Sequence, residues 1–129
     1  VTRVQADVVK PIADWLDARL PTAEARLNVP AKWTPADGPL LVVADDGGPT
    51  RWPIKSDHTI RLTGWAAGRD EARGIVALAA GLLAGSNPRP PGVAYVDPEM
   101  GTILDARDKT TGAMLASILI GATARTVEV

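Results

Sequence analysis

Ser56-Asp57-His58 sets a hydroxyl, a carboxylate and the chain's one imidazole side by side, the three groups of a nucleophilic triad. Activation of a serine needs its base within ~3 Å. On a strand, Asp57 points away from the face that Ser56 and His58 share, and those two sit ~6.5 Å apart. The spacing therefore reads as polar residues at a strand entrance rather than as a catalytic site. Asp45-Asp46 could offer paired carboxylates to a hard divalent cation. No calcium-loop spacing of oxygens surrounds them, and Gly47-Gly48-Pro49 behind them is turn chemistry. Asp105 and Asp108, on either side of Arg107, read as a solvated hairpin tip. Arg51-Trp52 suits recognition better than catalysis, because a rigid aromatic beside an arginine is a frequent binding hot spot; the alternative is a tryptophan folded back to close a hairpin. With no cysteine, no glycine-rich phosphate loop, no nucleophile elbow and no paired histidines, the expectation is a protein that is not an enzyme. No cofactor and no metal are expected.

The other informative stretch is 74–88, which carries no charged side chain. At ~100° per residue, Ile75, Val76, Leu78, Leu82 and Leu83 fall on one apolar arc. Gly74, Ala77, Ala80, Gly81 and Ala84 gather opposite them. A surface helix normally shows water a polar face, so this one is expected to be covered on both sides. Ala77, Gly81 and Gly85 recur every four residues and would let another backbone approach closely, a helix-association spacing in membranes. Packing on the first helix, simple exposure and contact with another subunit all remain open. Together with Arg51 and Trp52, residues Gly74, Ala77, Gly81 and Gly85 are the candidate interface positions.

The elements that must carry these residues follow from periodicity. Residues 3–20 read as an amphipathic helix with Val4, Val8, Ile12, Trp15 and Leu16 on one face, interrupted by Pro11. Prolines at 21, 30, 35 and 39 make 21–39 a loop. A short buried strand follows over 40–44, and a second runs from about Asp57 to Ala66 with period-two alternation. Their long irregular connection carries Arg51-Trp52-Pro53. Asp70 suits the N-cap of the second helix, which Ser86-Asn87-Pro88 closes. Three strands complete the chain: Val93–Val96, Ile103–Ala106 and Ala113 to about Thr123, the last two joined by a turn at Asp108–Gly112. The order α-β-β-α-β-β-β predicts one α+β domain over 1–129, an antiparallel or mixed sheet of about five strands with two helices. Trp15 and Trp65 fit core positions, whereas Trp33 and Trp52 lie in loops and need loop packing or a partner for burial.

Composition narrows the classes. Residues 1–65 hold eight basic and eight acidic side chains, and the remainder six and seven. No linear basic block tracks a phosphate backbone, which argues against nucleic-acid binding as a main role. No signal peptide is visible, and the uncharged run falls short of the ~20 residues of a membrane span. Val1 is compatible with removal of an initiator methionine. The expectation is a soluble protein made in the cytosol.

Several strings in order resemble a known family: 13–20 (ADWLDARL), Arg51-Trp52-Pro53, 58–66 (HTIRLTGWA), 68–72 (GRDEA), and the late hairpin around Lys109-Thr110-Thr111-Gly112. They resemble the tail terminator proteins of long-tailed, siphovirus-type actinobacteriophages. The resemblance implies an α+β subunit of a hexameric ring in the virion, at the head–tail junction, made in a bacterial host's cytoplasm. Such a ring caps the tail tube, ends its polymerisation and meets the head-completion proteins, while DNA passes through its lumen without sequence-specific binding. It implies no membrane partner and no catalytic residue. Another head–tail connector, such as a stopper or adaptor, shares these features. A small ligand-binding domain or enzyme is the alternative from a different class.

Overall fold

The computed structural model describes residues 1–129. In chain order its elements are β1 (Arg3–Val4), α1 (Val9–Asp17), β2 (Glu24–Arg26), β3 (Leu40–Asp45), β4 (Thr50–Arg51), β5 (Lys55–Ala66), α2 (Arg69–Ala84), β6 (Val93–Val96), β7 (Leu104–Arg107), β8 (Met114–Arg125) and β9 (Val127–Glu128). The main sheet runs β2-β3-β5-β8-β6, with β4 added to β5 and β7 added to β8. The β2–β3 pair is parallel and the other pairs of this sheet are antiparallel, so the sheet is mixed. β1 and β9 form a separate two-stranded ribbon that ties the chain ends together. The α+β class with two helices holds, but the strands number well above five.

The spine is β5 against β8, twelve residues each in continuous antiparallel register from Lys55↔Arg125 to Ala66↔Met114. Both helices pack on one face of this spine and its neighbours. The resulting core gathers Ile12 and Leu16 of α1, Val76 and Leu83 of α2, and Leu41, Val43, Ile60, Leu62, Ile118 and Ile120 of the sheet. At about 25 cal/mol per Å² of apolar area removed from water, each such side chain contributes roughly 1.5–3 kcal/mol. Gly64 permits the close approach of α2, since a Cβ there would lie 2.7 Å from the Ala72 carbonyl oxygen and 2.9 Å from Val76 Cγ2.

The opposite face of the sheet carries no helix. At one end it is closed by Trp33, Leu40 and Ala113 with Trp65 against them. Trp33 and Trp65 meet edge to face at 6.0 Å, and Trp33 Nε1 donates to the Gly38 carbonyl at 3.1 Å. Loop packing therefore buries Trp33, while Trp65 faces away from the helices instead of into their interface. Trp15 is only partly buried at the core edge, with the Arg19 guanidinium 4.0 Å from its ring centroid.

Several boundaries differ from the sequence reading. The first helix begins at Val9, not at residue 3, because Arg3 and Val4 pair with Glu128 and Val127. Pro11 then falls in the first turn, where its missing N–H leaves no bond unmade. Asp7 Oδ1 accepts from the Val9 amide at 2.9 Å. The 21–39 loop contains β2, a three-residue strand that its pairing with β3 stabilises. The segment before β5 is no irregular connection: Thr50↔Ser56 and Arg51↔Lys55 make a tight hairpin whose tip is 52–54. Gly68, not Asp70, is the N-cap of α2, with Asp70 and Glu71 in its first turn, where acids favour the helix dipole.

Candidate functional site

The hydroxyl, imidazole and carboxylate rejected on spacing do meet, with a different acid. Ser56 Oγ lies 2.7 Å from His58 Nε2, and His58 Nδ1 lies 2.6 Å from Asp45 Oδ2 on the neighbouring strand. The distance argument failed because the imidazole spans the gap between two residues of one strand face. Asp57, on the other face, takes no part. A carboxylate can only accept, so Nδ1 carries the proton and Nε2 accepts from the serine. Asp45 Oδ1 accepts the Gly47 amide at 2.7 Å, and Asp46 pairs with Arg61 at 2.7 Å, so both carboxylates serve the turn. Ser56 is 1% exposed, which leaves a substrate carbonyl no approach to its oxygen. The network pins the mouth of the β3–β5 hairpin.

Arg51 and Trp52 lie at the hairpin tip. Trp52 is 57% exposed and Ile54 60%, so the tryptophan does not fold back. The tip is tethered by Thr126, whose hydroxyl donates to the Pro53 carbonyl at 2.5 Å and accepts from Arg3 Nε at 2.8 Å. Arg3 Nη2 also donates to the Thr126 carbonyl at 2.8 Å. Both chain ends thus brace a protruding apolar tip.

The uncharged helix face is exposed. Gly74, Ala77, Gly81, Ala84 and Gly85 are all on the surface, and nothing comes within 4 Å of a Cβ built at Gly74 or Gly81. The first helix does not cover this face. Two residues exchange sides relative to the sequence reading: Ala80 is buried and Leu78 is 43% exposed. The buried stripe is Ala72, Ile75, Val76, Ala79, Ala80 and Leu83, because Gly64 draws the Ala72–Val76 turn onto the sheet and fixes the helix rotation there. Beside Gly74 and Leu78 lies a groove of about 190 Å³ lined also by Leu20, Pro21, Glu71 and Ile75. The candidate positions form two separate surfaces, one on α2 and one at the hairpin tip.

Asp105 is more than hairpin-tip solvation. Its carboxylate accepts from Arg73 Nη1 at 2.8 Å and from Arg69 Nε at 3.0 Å, joining β7 to the first turns of α2. The Arg73 hydrogen bond, with Arg69 behind it, holds this carboxyl below its ordinary range. Asp108 does close the hairpin, accepting from the Thr111 hydroxyl at 2.6 Å and its amide at 2.8 Å. Those bonds lower its pKa as well. No group of three or more histidine, aspartate or glutamate side chains could hold a metal ion. No helix is long and apolar enough to cross a membrane.

The class defined by this geometry is a two-layer α+β domain, a mixed sheet with both helices on one face. Its fold is shared with a chain of a solved assembly described as the virion of a native gene transfer agent (GTA) particle. The two superpose with a TM-score of 0.51 over 92% of this chain and 86% of the other, at 15% sequence identity. No protein-family model and no curated protein sequence matches the chain.

Proposed function

We propose that this chain is a structural virion protein, and within that class the tail terminator that its motifs resemble. The observation that carries the reading is the fold shared along 92% of the chain with a component of a virion particle. The resemblance of 13–20, 51–53, 58–66 and 68–72 to tail terminators narrows it. Two bare surfaces supply a physical means of assembly: the small-residue face of α2, which admits a neighbour's backbone, and the protruding Arg51–Ile54 tip. In this reading copies join head to tail into a hexameric ring, because two different patches meeting heterologously close a ring when the rotation permits. One end of the ring stops the tail tube protein and the other meets a head-completion protein. DNA crosses the lumen without being read. The chain does no catalysis, needs no cofactor and works at the head–tail junction after synthesis in a bacterial cytoplasm.

A stopper or adaptor at the same junction is the nearest other role, and placement in a virion density map separates the two. A small enzyme would draw on Ser56, His58 and Asp45, against which the burial of Ser56 weighs directly. Native mass spectrometry of the purified chain at tens of micromolar tests the ring. A discrete closed oligomer is expected, and obligate contacts of this kind often exceed ~2,000 Å². A strict monomer in the presence of its tube and connector partners overturns the reading.

A further inference from the structure

Two edge strands of the main sheet are finished differently. On β2 the outward Ala25 amide donates to Asp17 Oδ1 at 2.9 Å, so a side chain caps that edge. The edge at β7 is bare. The Asp108 amide donates to the Ala113 carbonyl at 2.9 Å, and the same register sets Arg107 opposite Met114, Ala106 opposite Leu115 and Asp105 opposite Ala116. Opposed residues of an antiparallel ladder alternate between bonded and non-bonded pairs. Ala106 is therefore bonded to β8, while the N–H and C=O of Asp105 and Arg107 point out of the sheet. β8 is the one strand beside β7, no other hydrogen bond takes these backbone groups, and all four residues of β7 are exposed. An open ladder of this kind is a template for another strand.

The side chains select which strand fits. Asp105 is on the helix side, where it meets Arg69 and Arg73; Arg107 shares that face and Ala106 between them points the other way. Arg107 makes no ion pair within the chain. A strand added antiparallel to this edge needs a base opposite Asp105, an acid opposite Arg107 and a small residue between them, since directly opposed side chains interact most strongly. β7 meets that description itself when turned end for end. We propose that a second copy of this chain docks here, β7 against β7, about a two-fold axis at Ala106. Asp105 then lies opposite Arg107 of the partner subunit, and Arg107 opposite the partner's Asp105. Both are bonded pairs, so each exchanges two backbone hydrogen bonds, and the two alanines meet as a non-bonded pair with Cα atoms ~4.5 Å apart. The contact is isologous and closes on itself. It therefore differs from the head-to-tail contact of a ring and does not depend on one.

The test is disulfide trapping in the full chain, which has no cysteine of its own. In a glutathione redox buffer Ala106→Cys forms covalent dimers, because Cα atoms ~4.5 Å apart suit a disulfide. Leu104→Cys on the same edge does not, because the two-fold axis sets its copies roughly 14 Å apart, out of reach of a bridge. The expected difference in initial rate is ~10-fold or more. Adding Arg107→Pro to Ala106→Cys brings the rate down to that of Leu104→Cys. Proline removes an outward N–H that only the partner uses, and an edge strand tolerates it there. Under reducing conditions Arg107→Pro keeps its Tm within ~2 °C of the parent. Equal trapping at 104 and 106, trapping that ignores Arg107→Pro, or no trapping at 106 overturns the proposal; a clear fall in Tm overturns the bare edge on which it rests. A hexameric ring in which Ala106→Cys stays unlinked refutes the pair and leaves the ring, whereas linked dimers without a ring do the reverse.

Discussion

Replacing Gly81 by leucine sets the isolated subunit and the assembly against each other with opposite signs. Gly81 lies inside α2, and nothing in the chain comes within 4 Å of a Cβ built there. Glycine in a helix interior is ~0.8–1.0 kcal/mol worse than alanine, and leucine is close to alanine. The substitution should therefore stabilise the monomer by about 0.7 kcal/mol, raising Tm by ~2–3 °C. If the small-residue face is the subunit contact, the same side chain holds the neighbouring backbone away. Overpacking of this kind costs about 1–3 kcal/mol, and 2 kcal/mol is a ~30-fold loss of affinity at each contact. Native mass spectrometry reads the oligomer, and thermal unfolding at a concentration where the variant is monomeric reads the fold. Rings with unchanged subunit number refute the α2 face as the contact. A variant less stable than wild-type monomer refutes the premise that nothing within the chain touches this face.

Three further outcomes follow from single contacts. Gly64→Ala should destabilise by about 1–3 kcal/mol, read as a lower urea midpoint, because the new methyl meets the Ala72 carbonyl oxygen at 2.7 Å; an unchanged midpoint would mean that α2 does not sit this close. Asp105 has its folded pKa held below the ordinary 3.8, first by the Arg73 hydrogen bond, so its bridge stabilises the fold fully above that value. This contribution fades as pH falls through the lowered pKa, and Asp105→Asn should lose stability at neutral pH with the difference closing in acid. A gap that persists undiminished at the lowest pH contradicts the ionic origin. Ser56, at 1% exposure, should resist a fluorophosphonate probe over hours under native conditions; rapid stoichiometric labelling would show an accessible activated serine.

The parts legible in the sequence are those whose pattern is long and local. Residues 55–66 alternate cleanly because one face meets helices and the other does not, and 69–84 opens with acids and closes before Ser86-Asn87-Pro88. Short strands defeat this kind of reading, since their pairing energy lies in residues farther along the chain: Arg3 with Glu128, Ala25 with Leu41. Leu78 and Ala80 exchanged sides for a similar reason. A helical wheel gives relative angles, but the rotation of α2 is set by the missing side chain at Gly64 on another element. The serine–histidine pair was misjudged because backbone rise was compared with a hydrogen-bond length, without the reach of the imidazole.

Charge shows the same limit most clearly. Arg51, Lys55 and Arg125 are scattered among acids in the linear order, so balanced composition argues against a phosphate-binding block. Register brings the three onto adjacent strands, with Asp57 paired to Lys55 and Asp97 over Gly121 on the same face, while other acids serve elsewhere: Asp105 on Arg69 and Arg73, Asp46 on Arg61, Asp14 on Lys10. A chain with net charge −1 thus presents two surfaces of different chemistry, an apolar one outside α2 and one of mixed charge on the sheet's bare side. The helices separate these surfaces, since α2 turns its glycines away from the sheet, whose other face carries Arg51, Lys55 and Arg125. Because the ring reading joins the α2 face to the hairpin tip, Gly81→Leu and Trp52→Ala should each lower the subunit number read by native mass spectrometry, and a ring that survives either variant refutes that patch as a contact.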